Sequence, residues 1–325
     1  MTLRWVRLKS ALADLAKSAL SLYWDLLKTM VPVMIVVQIG VTFGLIDQLA
    51  QVFEPLMSLV GLPASTGLVW ATGILVNNYG AAAALMGILP TTELTVAQLT
   101  VLLSMVLIAH ALPLEQAISR KAGISFVFSS TLRFGGALVY GAILNAIYTW
   151  GEWLQHPATI AWLPQDGGQL PTWDTWALNS AVSLFWLFWI ILALVTLLKV
   201  FEILKITDLL ARLLSPLLGM MGISPAATSI TMVGTLLGLS FGGGLIIKEA
   251  RAGNLSPRDI VLSLSFMALC HSLIEDPLFM MALGGDVTGV LIGRFVFAVV
   301  VMVALSRMIL ALPDAPFRRL LYRGA

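Results

Sequence analysis

Apolar positions in this chain fall in long unbroken blocks, not in the alternation of a half-buried strand or the narrow stripe of a surface helix. Blocks near residues 29–46, 98–118, 124–148, 177–199, 258–281 and 287–311 have the length that a helix needs to cross a bilayer. Two further apolar stretches, near 62–89 and 223–247, are interrupted by glycines and amides. The first thirty residues follow another pattern. Arg4, Arg7, Asp14, Lys17, Ser21, Asp25 and Lys28 recur at helical spacing, with Trp5, Leu8, Leu15, Leu22 and Leu26 between them. That spacing predicts an amphipathic helix over 1–28, lying on the cytoplasmic membrane surface ahead of the first span. It has neither the uninterrupted apolar core nor the small-residue cleavage site of a signal peptide.

Composition turns this pattern into a class. Of 325 residues, 59% are hydrophobic and 11% are charged, which identifies an all-α integral membrane protein with the lipid bilayer as its first partner. The net charge of +2 forms no basic patch, so no nucleic acid is expected. One cysteine, Cys270, excludes an intrachain disulfide and a zinc site built from several cysteines. No Ser/His/Asp arrangement stands in a supporting motif, so neither an enzyme nor a cofactor is expected.

At an offset of 161 residues the chain matches itself. His110 falls on His271, Asp47 on Asp208, Pro55 on Pro216, Gly61 on Gly222, Gly73 on Gly234, Glu115 on Asp276, Gly123 on Gly284 and Arg133 on Arg294, all without a gap. Two copies of one unit follow, over 29–148 and 177–312, joined by a connector over 149–176 and followed by a basic tail over 313–325. Basic residues flank the cytoplasmic ends of membrane spans. The N-terminal helix and the tail, with Arg307, Arg318, Arg319 and Arg323, are therefore placed inside an inner (plasma) membrane of bacterial type. The connector carries Glu152, Asp166 and Asp174, no Lys or Arg, and many Trp residues, and is placed outside. An inside start and an outside midpoint require an odd number of crossings per unit, so the two repeats have inverted topology.

If residues 46 and 90 are both outside, the stretch between them enters and returns. "GLPASTGLVWATGILVNNYGAAAAL" and its mate "GISPAATSITMVGTLLGLSFGGGLIIKEA" carry polar and glycine breaks at Asn77, Asn78 and Gly80, and at Ser240 and Gly242 to Gly244. Interrupted or re-entrant helices of this kind survive only inside protein or beside a water-filled cavity. Paired in inverted repeats, they are an architecture of secondary transporters.

Charges in a span cost about 2.5–3.5 kcal/mol each on insertion scales, so those retained face a bundle interior or a cavity. His110 and Glu115, with Pro113 between them, and His271, Glu275 and Asp276, followed by Pro277, are the candidates. With Asn77, Asn78 and Ser240 they are the expected ligands of a small solute or ion around a central cavity. His110 and His271 are the candidates for a metal, because imidazole suits protons or borderline metals. Arg133 and Arg294 are the expected charge partners. The alternative is that these groups are buried ion pairs that only hold the units together.

At these residues the chain resembles the Gate domain family, also called the nucleoside recognition domain. That family includes the spore maturation proteins A and B, the membrane part of ferrous-iron transporter B and, more distantly, the concentrative nucleoside transporters. The resemblance covers about 30–145 and 190–310 and rests on the glycine-rich segments and the repeated layout. It implies a transport or gating role, with the interrupted helices lining the path, and a homo-oligomer, since Gate-type proteins often pair. Unlike the iron transporter, the chain has no GxxxxGK[ST] loop. Transport of a nucleoside-like solute or a divalent metal ion is the leading expectation; a non-transporting assembly protein of the spore-maturation type is the other.

Overall fold

The structure is a computed structural model that describes residues 2–164 and 172–324; the side chains of residues 2–14, Asp47, Leu237, Ser240 and Phe241 lie outside the description. The connector residues Asp166, Gly167 and Gly168 also lie outside it. Among the described residues the regular secondary structure is helical, apart from isolated bridges at Thr95–Pro157 and Ile124–Tyr322. In chain order the helices are α1 (Thr2–Thr42), α2 (Leu45–Leu59), α3 (Thr66–Leu75), α4 (Asn78–Ile88), α5 (Val96–Ile108), α6 (Leu112–Lys121) and α7 (Phe126–Trp150). There follow α8 (Trp173–Ile203), α9 (Ile206–Met220), α10 (Pro225–Leu237), α11 (Leu239–Arg251), α12 (Pro257–Leu269) and α13 (Glu275–Ala282). A π-helical stretch, Thr288–Gly293, runs into α14 (Arg294–Ala311), and α15 (Asp314–Leu320) closes the chain.

The offset of 161 residues recurs in backbone geometry. Helices α2 and α9, and α5 and α12, begin and end at matched positions. Left-handed backbone occurs at Gly44 and Lys205, Gly61 and Gly222, Ala111 and Ser272, and Gly123 and Gly284, each pair again at matched positions. Matched positions also fall at opposite ends of the bundle. Gly123 accepts a 2.7 Å hydrogen bond from the backbone of Arg323 in the tail, beside the start of α7. Gly284, its counterpart, packs against Leu99 and Ile160 near the far end of α7.

Five helical segments among the described residues are long and apolar enough to cross a membrane: Leu15–Thr42, Val96–Lys121, Phe126–Trp150, Trp173–Ile203 and Thr288–Ala311. The segment Val96–Lys121 is 78% buried, whereas Trp173–Ile203 is 17% buried, so α5 and α6 occupy the centre and α8 the rim. Exposed Phe185, Trp186 and Trp189 on α8 would be an anomaly in water and are ordinary against lipid. Two expectations change. The N-terminal segment is not a separate surface helix over 1–28, because α1 runs unbroken to Thr42 and its apolar window begins at Leu15. The helix continues through its amphipathic first part and past Pro32 without a break. The expected span 258–281 is two short helices, α12 and α13, split at 270–274.

The two glycine-rich stretches are helical hairpins. Helices of 10–13 residues rise about 15–20 Å, well short of the roughly 30 Å hydrocarbon core, so none of the four crosses alone. The turn of the first is at Val76 and Asn77, as the amides suggest. The turn of the second is at Gly238, where φ is 106°, and not at Gly242 to Gly244, which continue α11. Gly242 serves packing instead: a Cβ there would collide with the backbone of Gly234 on α10, while one on Gly244 meets nothing within 4 Å. Gly242→Val is therefore expected to cost about 1–3 kcal/mol through overpacking, seen as a lower melting temperature in detergent. Gly244→Ala is expected to leave it unchanged or slightly higher.

Candidate functional site

The site arises where two helices fail. Helix α5 ends at Ile108 and α6 begins at Leu112, with Ala111 in the left-handed region at φ 47°. Helix α12 ends at Leu269 and α13 begins at Glu275, with Ser272 at the same φ of 47°. A break exposes carbonyls that the next turn would have bonded, and at this depth neither water nor lipid satisfies them. Two buried guanidiniums do so. Arg133 on α7 donates from Nε to the Ile108 carbonyl and from Nη2 to the His110 carbonyl, both at 2.8 Å. Arg294, at the start of α14, makes the same pair of bonds to Leu269 and His271, at 3.1 and 3.0 Å. The breaks are also tied to the hairpins, through Ala111 N–H to the Gly73 carbonyl and Leu273 N–H to the Thr235 carbonyl, each 2.9 Å.

Residues 110 and 271 meet between the breaks. The His110 and His271 Nε2 atoms lie 3.1 Å apart, and the imidazoles are 5% and 2% exposed. Each Nδ1 faces a backbone carbonyl, that of Val106 at 3.1 Å for His110 and that of Met267 at 2.7 Å for His271. A carbonyl only accepts, so each Nδ1 carries a proton, and in the neutral imidazoles both Nε2 lone pairs converge. Glu115 Oε1 lies 3.2 Å from His271 Nε2 and 3.6 Å from His110 Nε2. Glu115 Oε2 is ion-paired with Arg133 Nη1. Asp276 Oδ2 lies 3.9 Å from His110 Nε2. Together His110, His271 and Asp276 place one ligand atom each within 4.8 Å of the others, and Glu115 brings an oxygen to the two imidazoles.

Not every expected residue joins them. Arg294 is not the ion-pair counterpart of Arg133: its Nη1 has no partner among the described residues, and Asp276, the equivalent of Glu115, reaches toward His110 instead. The physical reason is length, since aspartate is one methylene shorter than glutamate. Glu275 lies on the Tyr79 side of α13 and not at the histidines. Asn77 caps α4, its Oδ1 accepting from Tyr79 and Gly80 N–H at 3.0 and 2.9 Å, which is a structural task. Asn78 is 4% exposed, with no partner for its Oδ1 among the described residues. The Ser240 side chain lies outside the described residues.

The expected central cavity is not where the histidines are. One cavity, about 620 Å³, is lined by Gln38, Met86, Glu93, Gln98, Trp176 and their neighbours. A second, about 520 Å³ and shallower, is lined by Pro113, Gln116, Ala117, Arg120, Lys121 and Phe126. They lie at opposite ends of α5 and α6, and the histidine pair stands between them, closed from both. Pro113 and Pro277 sit in the first turns of α6 and α13 and do not form the breaks. Sequence reasoning missed Ala111 and Ser272, whose left-handed backbone makes the breaks; only their common offset could have marked them.

Removal of Arg133 leaves a buried Glu115 carboxylate and two carbonyls unpaired, whereas removal of Arg294 leaves two carbonyls only. Arg133→Met is therefore expected to destabilise by about 3–5 kcal/mol, more than Arg294→Met, with Glu115→Gln recovering part of the loss in the double variant. Thermal unfolding in detergent measures the order.

The family described as Gate, nucleoside recognition, matches residues 23–144, a stretch that holds α2 to α6 and carries His110, Glu115 and Arg133. The uncharacterized membrane protein YvoD of Bacillus subtilis is 29% identical over 291 residues, which cover 87% of this chain and 90% of that protein. No solved structure matches. The apolar spans and this match lead to one conclusion: the chain is a membrane protein that, over residues 23–144, is similar to the Gate, nucleoside recognition, family.

Proposed function

We propose that the protein moves a small polar solute or ion across a bacterial-type inner membrane by alternating access between its two halves. The observation that carries this reading is the meeting of two helix breaks, from matched positions, at a buried histidine pair with a cavity at each end of the same interrupted helix. Polar groups at membrane depth are costly and are kept where they serve a path. Short hairpins beside broken helices, repeated in opposite sense, are the parts from which alternating-access carriers are built. In this reading the structure is the occluded arrangement: the site is shut from both cavities, and a rocking of α3–α4 or α10–α11 opens one side at a time.

Orientation in the membrane follows from charge. Arg120, Lys121, Arg258, Arg318 and Arg319 gather at one end, where Ser125 N–H bonds the Leu321 carbonyl and Arg258 bonds the Leu312 carbonyl. The opposite end, where Trp162 Nε1 bonds the Ala282 carbonyl, carries Glu93 and no basic residue between 87 and 97. The basic end is the cytoplasmic one, and with it go both termini.

One observation favours the other reading, a membrane assembly protein that transports nothing: the guanidiniums satisfy the broken backbone and Glu115 so fully that the centre can serve as a static clamp. Uptake separates the two. Reconstituted in liposomes, the protein is expected to give saturable uptake of a nucleoside or a divalent cation. The His110→Ala/His271→Ala variant is expected to lose at least tenfold of it while remaining folded. No uptake of any member of the panel by the wild-type protein would leave the clamp as its function.

A further inference from the structure

The convergence of two imidazole lone pairs is the feature that transport in general does not explain. With both Nδ1–H groups donated to the Val106 and Met267 carbonyls, the Nε2 atoms of His110 and His271 present like partial charges to each other at 3.1 Å. Neutral imidazoles so arranged repel; a cation between them turns the same geometry into attraction. Histidines that ligate metals donate their other ring N–H to a carbonyl or carboxylate, which sets the tautomer and the ring orientation. Both histidines here meet that description.

The oxygen atoms complete the set. A tetrahedral ion with bonds of about 2.0–2.2 Å holds its ligand atoms roughly 3.3–3.5 Å apart. Around the histidine pair the separations are 3.1 Å between the nitrogens, 3.2 and 3.6 Å from Glu115 Oε1, and 3.9 Å from Asp276 Oδ2 to His110 Nε2. Glu115 keeps Oε1 for the centre because its Oε2 is held by Arg133, the kind of outer bond that supports a ligating carboxylate. The half of the site that departs from this spacing is Asp276, which is also the most exposed of the four side chains, at 14%.

We propose that His110 Nε2, His271 Nε2, Glu115 Oε1 and Asp276 Oδ2 form a binding site for one divalent transition metal ion of zinc-like coordination, held between the two halves of the chain. Two nitrogens and two carboxylate oxygens suit a borderline cation such as Zn²⁺ or Co²⁺, and disfavour Mg²⁺ and Ca²⁺, which want six or more oxygens. Each half supplies one imidazole and one carboxylate, so the ion cross-links α5–α6 to α12–α13. The inference rests on the transport reading for its choice of site, but metal binding is measurable without transport.

The test uses the purified full-length protein in detergent, stripped with chelator and titrated with Co²⁺ and, in competition with a chromophoric chelator, with Zn²⁺. Expected are one equivalent per chain, Co²⁺ absorption of tetrahedral intensity, a higher melting temperature with Zn²⁺ and no response to Mg²⁺. His271→Gln is expected to weaken binding at least a hundredfold and Asp276→Asn about tenfold or more, while Gly244→Ala leaves it unchanged. Should His271→Gln fail to fold, Asp276→Asn alone decides, since Asp276 has no ion pair with an arginine. A folded wild-type protein that binds neither ion overturns the proposal and leaves a shared proton between the imidazoles. Stoichiometric binding that both variants retain overturns it as well. Binding without uptake of the ion in liposomes would sink metal transport and leave the site standing.

Discussion

Two buried arginines carry the architecture. Breaking a helix inside a membrane frees carbonyls that no solvent can satisfy, and the cost is prohibitive unless protein supplies donors. Arg133 and Arg294 supply two each, to residues 108 and 110 and to residues 269 and 271. A planar guanidinium suits this task because its fork reaches two carbonyls at once and stays charged in an apolar setting. Everything functional depends on these bonds. They hold the breaks open, and the breaks turn the histidines away from the helical ladder and toward each other.

The centre is asymmetric within a nearly symmetric frame. Glu115 closes onto Arg133, whereas Asp276, one methylene shorter, leaves Arg294 Nη1 without a partner among the described residues and turns to His110. One half of the molecule thus holds its carboxylate as a fixed counter-charge and the other holds its carboxylate free to engage something else. In the carrier proposed above, the first would keep the site intact and the second would be the group that answers to occupancy. The π-helical stretch Thr288–Gly293, directly before Arg294, and the longer break before α13 also belong to the freer half.

Much of this was legible in the sequence. Apolar block length marked the spans, and the offset of 161 residues marked His110, His271, Arg133 and Arg294 as equivalent. The cost of charge in lipid marked Glu115, Glu275 and Asp276, of which the structure brings Glu115 and Asp276 beside the histidines and Glu275 to Tyr79. Where the sequence misled, the reasons were local. Gly242 to Gly244 read as a break because glycine is a poor helix former, but they continue α11, Gly242 packing closely against Gly234, and the turn falls at Gly238. Pro113 and Pro277 stand beside the candidate charges but do not mark the breaks: proline is tolerated in a first helical turn, and the breaks are at Ala111 and Ser272. Neither residue type favours left-handed backbone; tertiary bonds impose it, and no single-residue preference could have foretold it. Asn77 was placed correctly at a break, but its amide serves the backbone.

Two side-chain contacts join a residue to its own counterpart: His110 to His271, and Tyr23, whose hydroxyl donates to the Leu184 carbonyl at 2.9 Å. In an isologous dimer only residues on the two-fold axis meet their own copies. Around these contacts the chain therefore has the geometry of a two-fold pair carried on one polypeptide. Because one chain supplies both sides of the axis, the two need not be identical, and a glutamate on one side faces an aspartate on the other.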